Sequence, residues 1–359
     1  MAKRRGFGHI KMSERAKARR SDPANDVVVD GVCENSLILA DDYDEELMAE
    51  MTGSSICISN WERSGPAPII AWDASFEQYL RERTANLEAV NAAGFSWYPW
   101  NVIPSLTTDF RRHSLLATSQ QSRPSCAGFS AGIAYNATAA ISIALGQPML
   151  YNPCNPLITW FISKGGSYRG GQSISTIGRF VNEVGNFPAS LVGTNVITVP
   201  SDYRQHMAAA LQYASGICWM PAGPVQDQVE RVIRVARAGL GMFYGNRGKV
   251  SSSRTDSNGV RLAVMGGSWN HAVGWNSYAR VRSEEYVGWW NSHGPRYTAQ
   301  DILGMPADGA WMNRAILAET LKTAAGYGRI GIVVPKSTPV PFTGTGAIVQ
   351  ARNAGLARA

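Results

Sequence analysis

Apolar residues recur at helical spacing in several stretches of this chain. Phe76, Tyr79, Leu80, Leu87 and Val90 predict a helix over 76–92. Ile174, Ile177, Phe180 and Val181 predict a second, and Val225, Val229, Val232, Ile233 and Val235 a third over 225–239, with Arg and Glu on its other face. Ile316, Leu317 and Leu321 predict a helix over 314–325; 202–215 and the acidic stretch 41–51 read as helices too. From Cys126 to Ile141 the residues are small and apolar almost without break, which reads as a buried helix with Pro124 and Ser125 at its start. Strand patterns occupy 27–29, 37–39, 56–58, 239–244, 260–265, 271–278, 285–290 and 329–334. Residues 250–259, rich in Ser, Arg, Asp and Asn, read as a loop, 336–346 as a Pro/Thr/Gly linker and 347–359 as a small polar tail. Helical patterns precede a run of strands, which predicts an α+β fold.

Composition narrows this only a little. A chain of 359 residues with 45% hydrophobic content holds one large domain or two ordinary ones and can bury a real core. No apolar run approaching the ~18–20 residues of a membrane span is apparent, and no apolar signal core follows the basic start. The expectation is a protein with no membrane segment and no ordinary signal peptide, placed in the cytoplasm or in a virus particle. The net charge of +7 is concentrated: residues 1–20 carry eight Lys/Arg and one Glu, and the remainder is balanced. Such an arm binds nucleic acid or an acidic protein surface, or is a solvated tail, and composition leaves all three open. The five cysteines, Cys33, Cys57, Cys126, Cys154 and Cys218, show no CxxC and lack nearby histidines, so neither a metal site nor any cofactor is expected. An odd count points to free thiols.

Cys126 stands apart because it falls at a loop-to-helix junction. A thiol in the first helical turn feels the positive end of the macrodipole, which favours thiolate. A cysteine nucleophile needs a base beside it and a group that orients the base. Of the five histidines, His271 alone lies in a strand pattern, Asn270-His271-Ala272-Val273-Gly274-Trp275, that leaves a Gly-Gly pair.

The stretch Gln120-Gln121-Ser122-Arg123-Pro124-Ser125-Cys126-Ala127-Gly128-Phe129-Ser130 resembles the active-site segment of papain-like cysteine peptidases, the family of papain and the cathepsins. Gln120, Ser125, Cys126, Phe129 and Ser130 fit it; Ala127 stands where Trp is usual and Arg123 where a half-cystine is usual. Asn270-His271-Ala272-Val273 resembles the family's histidine strand, and the gap from Cys126 suits a class in which the two lie ~130–150 residues apart. Trp289-Trp290-Asn291-Ser292-His293-Gly294 resembles the family's Asn-Ser-Trp-Gly, with His293 for Trp; Trp289, Trp290 or Trp269 would then shield the Asn–His bond. Ile103-Pro104 with Asp109-Phe110-Arg111, and Gly170-Gly171 followed by a helix and Gly185-Asn186-Phe187-Pro188, extend the likeness.

What the resemblance implies is specific. The fold would be papain-like and two-lobed, a helical lobe and an antiparallel β-barrel-like lobe, over 96–335. Before it would lie a basic arm, 1–25, and an extension or docking segment, 26–95, and after it a tail, 336–359. Cys126 would be the nucleophile, His271 the base, Asn291 its orienting group and Gln120 an oxyanion donor. Gly170, Gly171 and Asn270 would meet a polypeptide substrate. The rival is a non-catalytic structural or scaffold protein of a virus particle or other large assembly that keeps this fold, with assembly partners or nucleic acid held through Met1–Arg20.

Overall fold

The computed structural model describes residues 69–90, 96–97, 124–145, 154–168, 171–193, 198–290, 292, 302–305, 309–324 and 329–335. The basic arm, the patterns at 27–58, the Ile103–Arg111 segment, Gln120, Gly170, Asn291, the linker and the tail lie outside these residues.

The elements are β1 (Ile69–Ile70), α1 (Ala74–Val90), β2 (Ser96–Trp97), α2 (Cys126–Ala144), α3 (Pro156–Ser163), α4 (Ile174–Glu183), α5 (Ala189–Val192), α6 (Met207–Ala210), β3 (Gly216–Trp219), α7 (Val225–Arg237), β4 (Met242–Thr255), β5 (Arg261–Val281), β6 (Glu284–Trp290), β7 (Gly309–Met312), α8 (Arg314–Ala324) and β8 (Gly331–Val334). The fold is α+β. Its eight strands form one sheet in the order β1-β3-β8-β4-β5-β6-β7, with β2 on β5. Leu262 of β5 also pairs with Trp311 of β7, so the sheet curls back on itself at that end.

The core has two main parts. The larger joins α1, α7 and α8 to the sheet through Val232, Leu240, Trp275, Val287, Trp290 and Leu317, all 0–1% exposed. The smaller lies between α2, α4 and the opposite side of the sheet, with Ala131, Ile177, Ile217, Phe243 and Val333. Here α2 approaches very closely. A Cβ on Gly128 would sit 2.6 Å from the Pro156 carbonyl oxygen, and one on Gly241 would overlap the backbone of Ala134, so larger residues would force the elements apart. Thr138 locks α2 onto two strands: its hydroxyl accepts from the Gly241 N–H at 2.8 Å and donates to the Val333 carbonyl at 3.2 Å.

Residues 69–90, which the sequence reading assigns to the extension, pack into this same core. Phe76, Leu80 and Leu87 are 2–3% exposed, and β1 pairs in parallel with β3. Arg83 is buried, and its guanidinium donates to the Ala238 carbonyl at 2.6 Å and to Ser142 Oγ at 2.8 Å.

Several expectations need correction. The stretch 250–259 is not all loop: β4 runs on to Thr255, because its backbone pairs with β5 as far as Arg261. The turn is confined to 256–259, where Asp256 Oδ1 accepts the Asn258 and Val260 N–H groups. The strands expected at 260–265 and 271–278 are one strand of 21 residues, since Gly266 pairs with Lys249 and the ladder continues through the glycine pair with register shifts. The helix expected at 202–215 is broken into a 3₁₀ turn, α6 and another 3₁₀ turn. Helix α3 arises from a β-branched and aromatic sequence because Asn155 caps it, accepting from the Leu157 and Ile158 N–H groups, with Pro156 at its first position. Finally, α2 is itself long and apolar enough to span a membrane, but 94% of it is buried inside the protein, as a core helix would be.

Candidate active site

Cys126 is the first residue of α2, following Ser125 at the N-cap. Ser125 has φ −101° and ψ 15°, outside the usual extended cap conformation, and its side chain makes no capping bond. Its hydroxyl is buried and has no hydrogen-bond partner among the described residues. The Phe129 N–H closes the first helical turn on the Ser125 carbonyl at 3.1 Å.

The sulfur of Cys126 accepts a hydrogen bond from the Ala272 N–H at 3.3 Å. Among the described residues β5 pairs with β6 from Gly274, opposite Trp290, onward. On its other edge Ala272 lies opposite Gly245 of β4. Ala272 and Cys126 belong to one packed cluster.

That peptide nitrogen is joined directly to the His271 carbonyl carbon. Bond lengths alone therefore put the His271 Cα no more than about 6 Å from the sulfur. Cys126 is 0% exposed and His271 1%. His271 lies opposite Asn246 of β4, and Asn270 opposite Arg247. The structure thus sets the Cys126 sulfur against the backbone of the residue that follows His271. Gly171 is buried and sits just before α4. Asn291 follows the last residue of β6 directly but is not among the described residues, nor are Gln120 and Gly170. Trp289 and Trp290 are 2% and 0% exposed and belong to the larger core.

The other described cysteines differ in kind. Burial pushes the Cys154 thiol up to about 12. Burial, aided by the charges of Asp73 and Glu77, does the same for Cys218. Both are packed thiols that stay protonated at neutral pH. The Ala272 N–H contact with the sulfur is what sequence reading missed, since no side-chain pattern reports a backbone donor.

No family model matches the chain, and no curated protein sequence matches it. Solved structures do. The Amb a 11 cysteine protease of ragweed pollen, in its proform, is 14% identical with a TM-score of 0.40, covering 63% of each chain. Digestive procathepsin L 3 of the Tenebrio molitor larval midgut is 12% identical with a TM-score of 0.41, over 90% of this chain and 94% of that one. Xylellain, a cysteine protease from Xylella fastidiosa, is 15% identical with a TM-score of 0.43, over 69% and 89%. All three are cysteine proteases. The aligned part thus spans less than two thirds of the ragweed proform's length. Likeness at this level says nothing of activity.

Proposed function

We propose that the chain is a thiol hydrolase acting on polypeptides, with Cys126 as nucleophile and His271 as its acid–base partner. The observation that carries this reading is the 3.3 Å contact between the Cys126 sulfur and the peptide N–H that follows His271. The thiol lies in the first turn of a 19-residue helix, whose positive end favours thiolate, and the adjoining His271 is assigned the acid–base role a cysteine nucleophile needs. The thiolate attacks the substrate carbonyl carbon and forms a C–S bond. His271 gives its proton to the leaving amine as the C–N bond breaks. It then takes a proton from water, whose oxygen displaces the sulfur and releases the acid. Asn291 is assigned the orienting role and Gln120 the oxyanion donor by the sequence resemblance. Loss of one such donor costs about 10²–10³ in rate.

The test is hydrolysis of an unfolded protein or a peptide library. Cys126→Ala should lower turnover by on the order of 10⁶-fold. Full activity in that variant would end the reading.

One observation favours a second reading, a non-catalytic module that keeps the fold. Cys126 and His271 are both almost wholly enclosed. On that reading Cys126 resists small alkylating reagents as Cys154 does, and no peptide is cleaved.

A further inference from the structure

Helix α2 meets the sheet at three successive close approaches. Nearest the site, the Ala272 N–H donates to the Cys126 sulfur at 3.3 Å. Two residues further along β5, Gly274 faces the same helix. A Cβ there would sit 3.0 Å from Cγ2 of Ile133 and 3.3 Å from the Ser130 carbonyl oxygen. The β4–β5 ladder is unbroken from Asn270 to Trp275, so residues 272 and 274 share one face of the sheet. Beyond them, Gly241 lies against the backbone of Ala134, and its N–H donates to Thr138. Contact therefore runs along α2 from Cys126 to Thr138.

The two glycines differ in what they tolerate. A side chain at 241 would run into backbone that has no room to give. At 274 the gap is only slightly tighter than ordinary contact, and φ there is not positive, so the backbone accepts alanine and the cost is room alone. Ile133 is 4% exposed and stiff at its branched Cβ, and the Ser130 oxygen is backbone. An added methyl is therefore accommodated by α2 moving off β5, at the end that carries the thiol.

We propose that Gly274 is a positioning residue for the Cys126 thiol: carrying no side chain, it lets α2 lie close enough to β5 for the sulfur to take the Ala272 N–H, a bond that favours thiolate. Such a bond strengthens when its acceptor is charged, so it shifts the thiol toward its charged form. This rests on the proposed reading of Cys126 as nucleophile and adds what seats it. Among the described residues, the titratable side chains packed in the Cys126 cluster are Cys154 and Tyr135, with Tyr213 against it, and His271 adjoins it next to Ala272. Burial pushes Cys154 up to about 12 and Tyr135 well above its ordinary value, so both are uncharged near neutrality.

The experiment labels the full chain with iodoacetamide at about pH 6 and about pH 9 and follows Cys126 by peptide mass mapping. Gly274→Ala should slow labelling by about 3–10-fold at the lower pH and by less than about twofold at the higher, where the thiol ionises with or without the bond. Adding Ile133→Ala, which clears the nearest atom, should return the rate to within about twofold of Ile133→Ala alone. Thr138→Val removes the hydroxyl that seats α2 on Gly241 while keeping its size, and should slow labelling by about 2–5-fold, again at the lower pH only. Val232→Ala, a cavity in the larger core, should leave both rates within about twofold. With a peptide that the wild type cleaves, Gly274→Ala should lower kcat at about pH 6 and keep KM within about twofold. Unchanged labelling in Gly274→Ala and Thr138→Val would overturn the inference and leave the hydrolase standing. So would equal slowing at both pH values, which would mark a blocked or loosened site. A wild-type Cys126 that labels no faster than Cys154 would overturn both.

Discussion

The two ends of α2 are finished in opposite ways. At its C-terminal end the side chains of Ser142 and Arg83 are bonded. Ser142 donates to the Thr138 carbonyl at 2.6 Å and accepts from Arg83, while Arg83 also closes the C-terminal end of α7 through Ala238. The Leu145 N–H returns to the Ile141 carbonyl. At the N-terminal end, Ser125 sits in the capping position without capping, and its buried hydroxyl has no partner among the described residues. The sulfur beside it takes the Ala272 N–H. One end is built for stability. The other keeps polar capacity in reserve where a reaction would need it, and such local departures from full satisfaction gather at functional sites.

The largest expected effect sharpens the contrast at the structural end. Arg83→Met leaves the Ala238 carbonyl and the Ser142 hydroxyl without their donor inside the core, and should cost about 3 kcal/mol in chemical denaturation. The alkylation rate of Cys126 in the folded variant should stay that of the wild type. Gly128→Ala comes next. Its methyl would meet Trp160 and the Pro156 carbonyl, and should cost about 2 kcal/mol, with Cys126 reactivity altered because this site lies within the first turn of α2.

An acidic group outside α2, Glu285, serves as a control. Burial alone would raise Glu285, but hydrogen bonds from Tyr278 and Arg314 and the charges of Arg237 and Arg314 outweigh it and hold the carboxyl below the ordinary glutamate value. Its contribution is therefore complete above the unfolded value and lost as pH falls through the lower folded one. Glu285→Gln should remove about 1.5 kcal/mol near neutrality and flatten stability below about pH 4.5. The smallest effect belongs to the N-terminal end. Ser125→Ala should change stability by less than about 0.5 kcal/mol, where a serine that truly caps costs ~1. A loss of 1 kcal/mol or more would show that both ends are built alike.

The start of α2 was legible because Pro124 and Ser125 break regular structure and small apolar residues follow. The His271 strand was legible from its neighbours. The continuity of β5 was hidden, because Gly266-Gly267 reads locally as a turn and only pairing with β4 makes it strand. Helix α3 was hidden by residues that favour strands, and its cap at Asn155 decides the matter. Arg83 gave no signal at all: a buried arginine looks like any surface arginine until the carbonyls it serves are in place.

The most direct measurement is the rate at which iodoacetamide labels each cysteine at pH 6, resolved by peptide mass mapping, in the wild type and in His271→Ala. The account predicts that Cys126 labels at least about 100-fold faster than Cys154 and Cys218, and that His271→Ala removes the difference. Equal, slow labelling of all three in the wild type would contradict it.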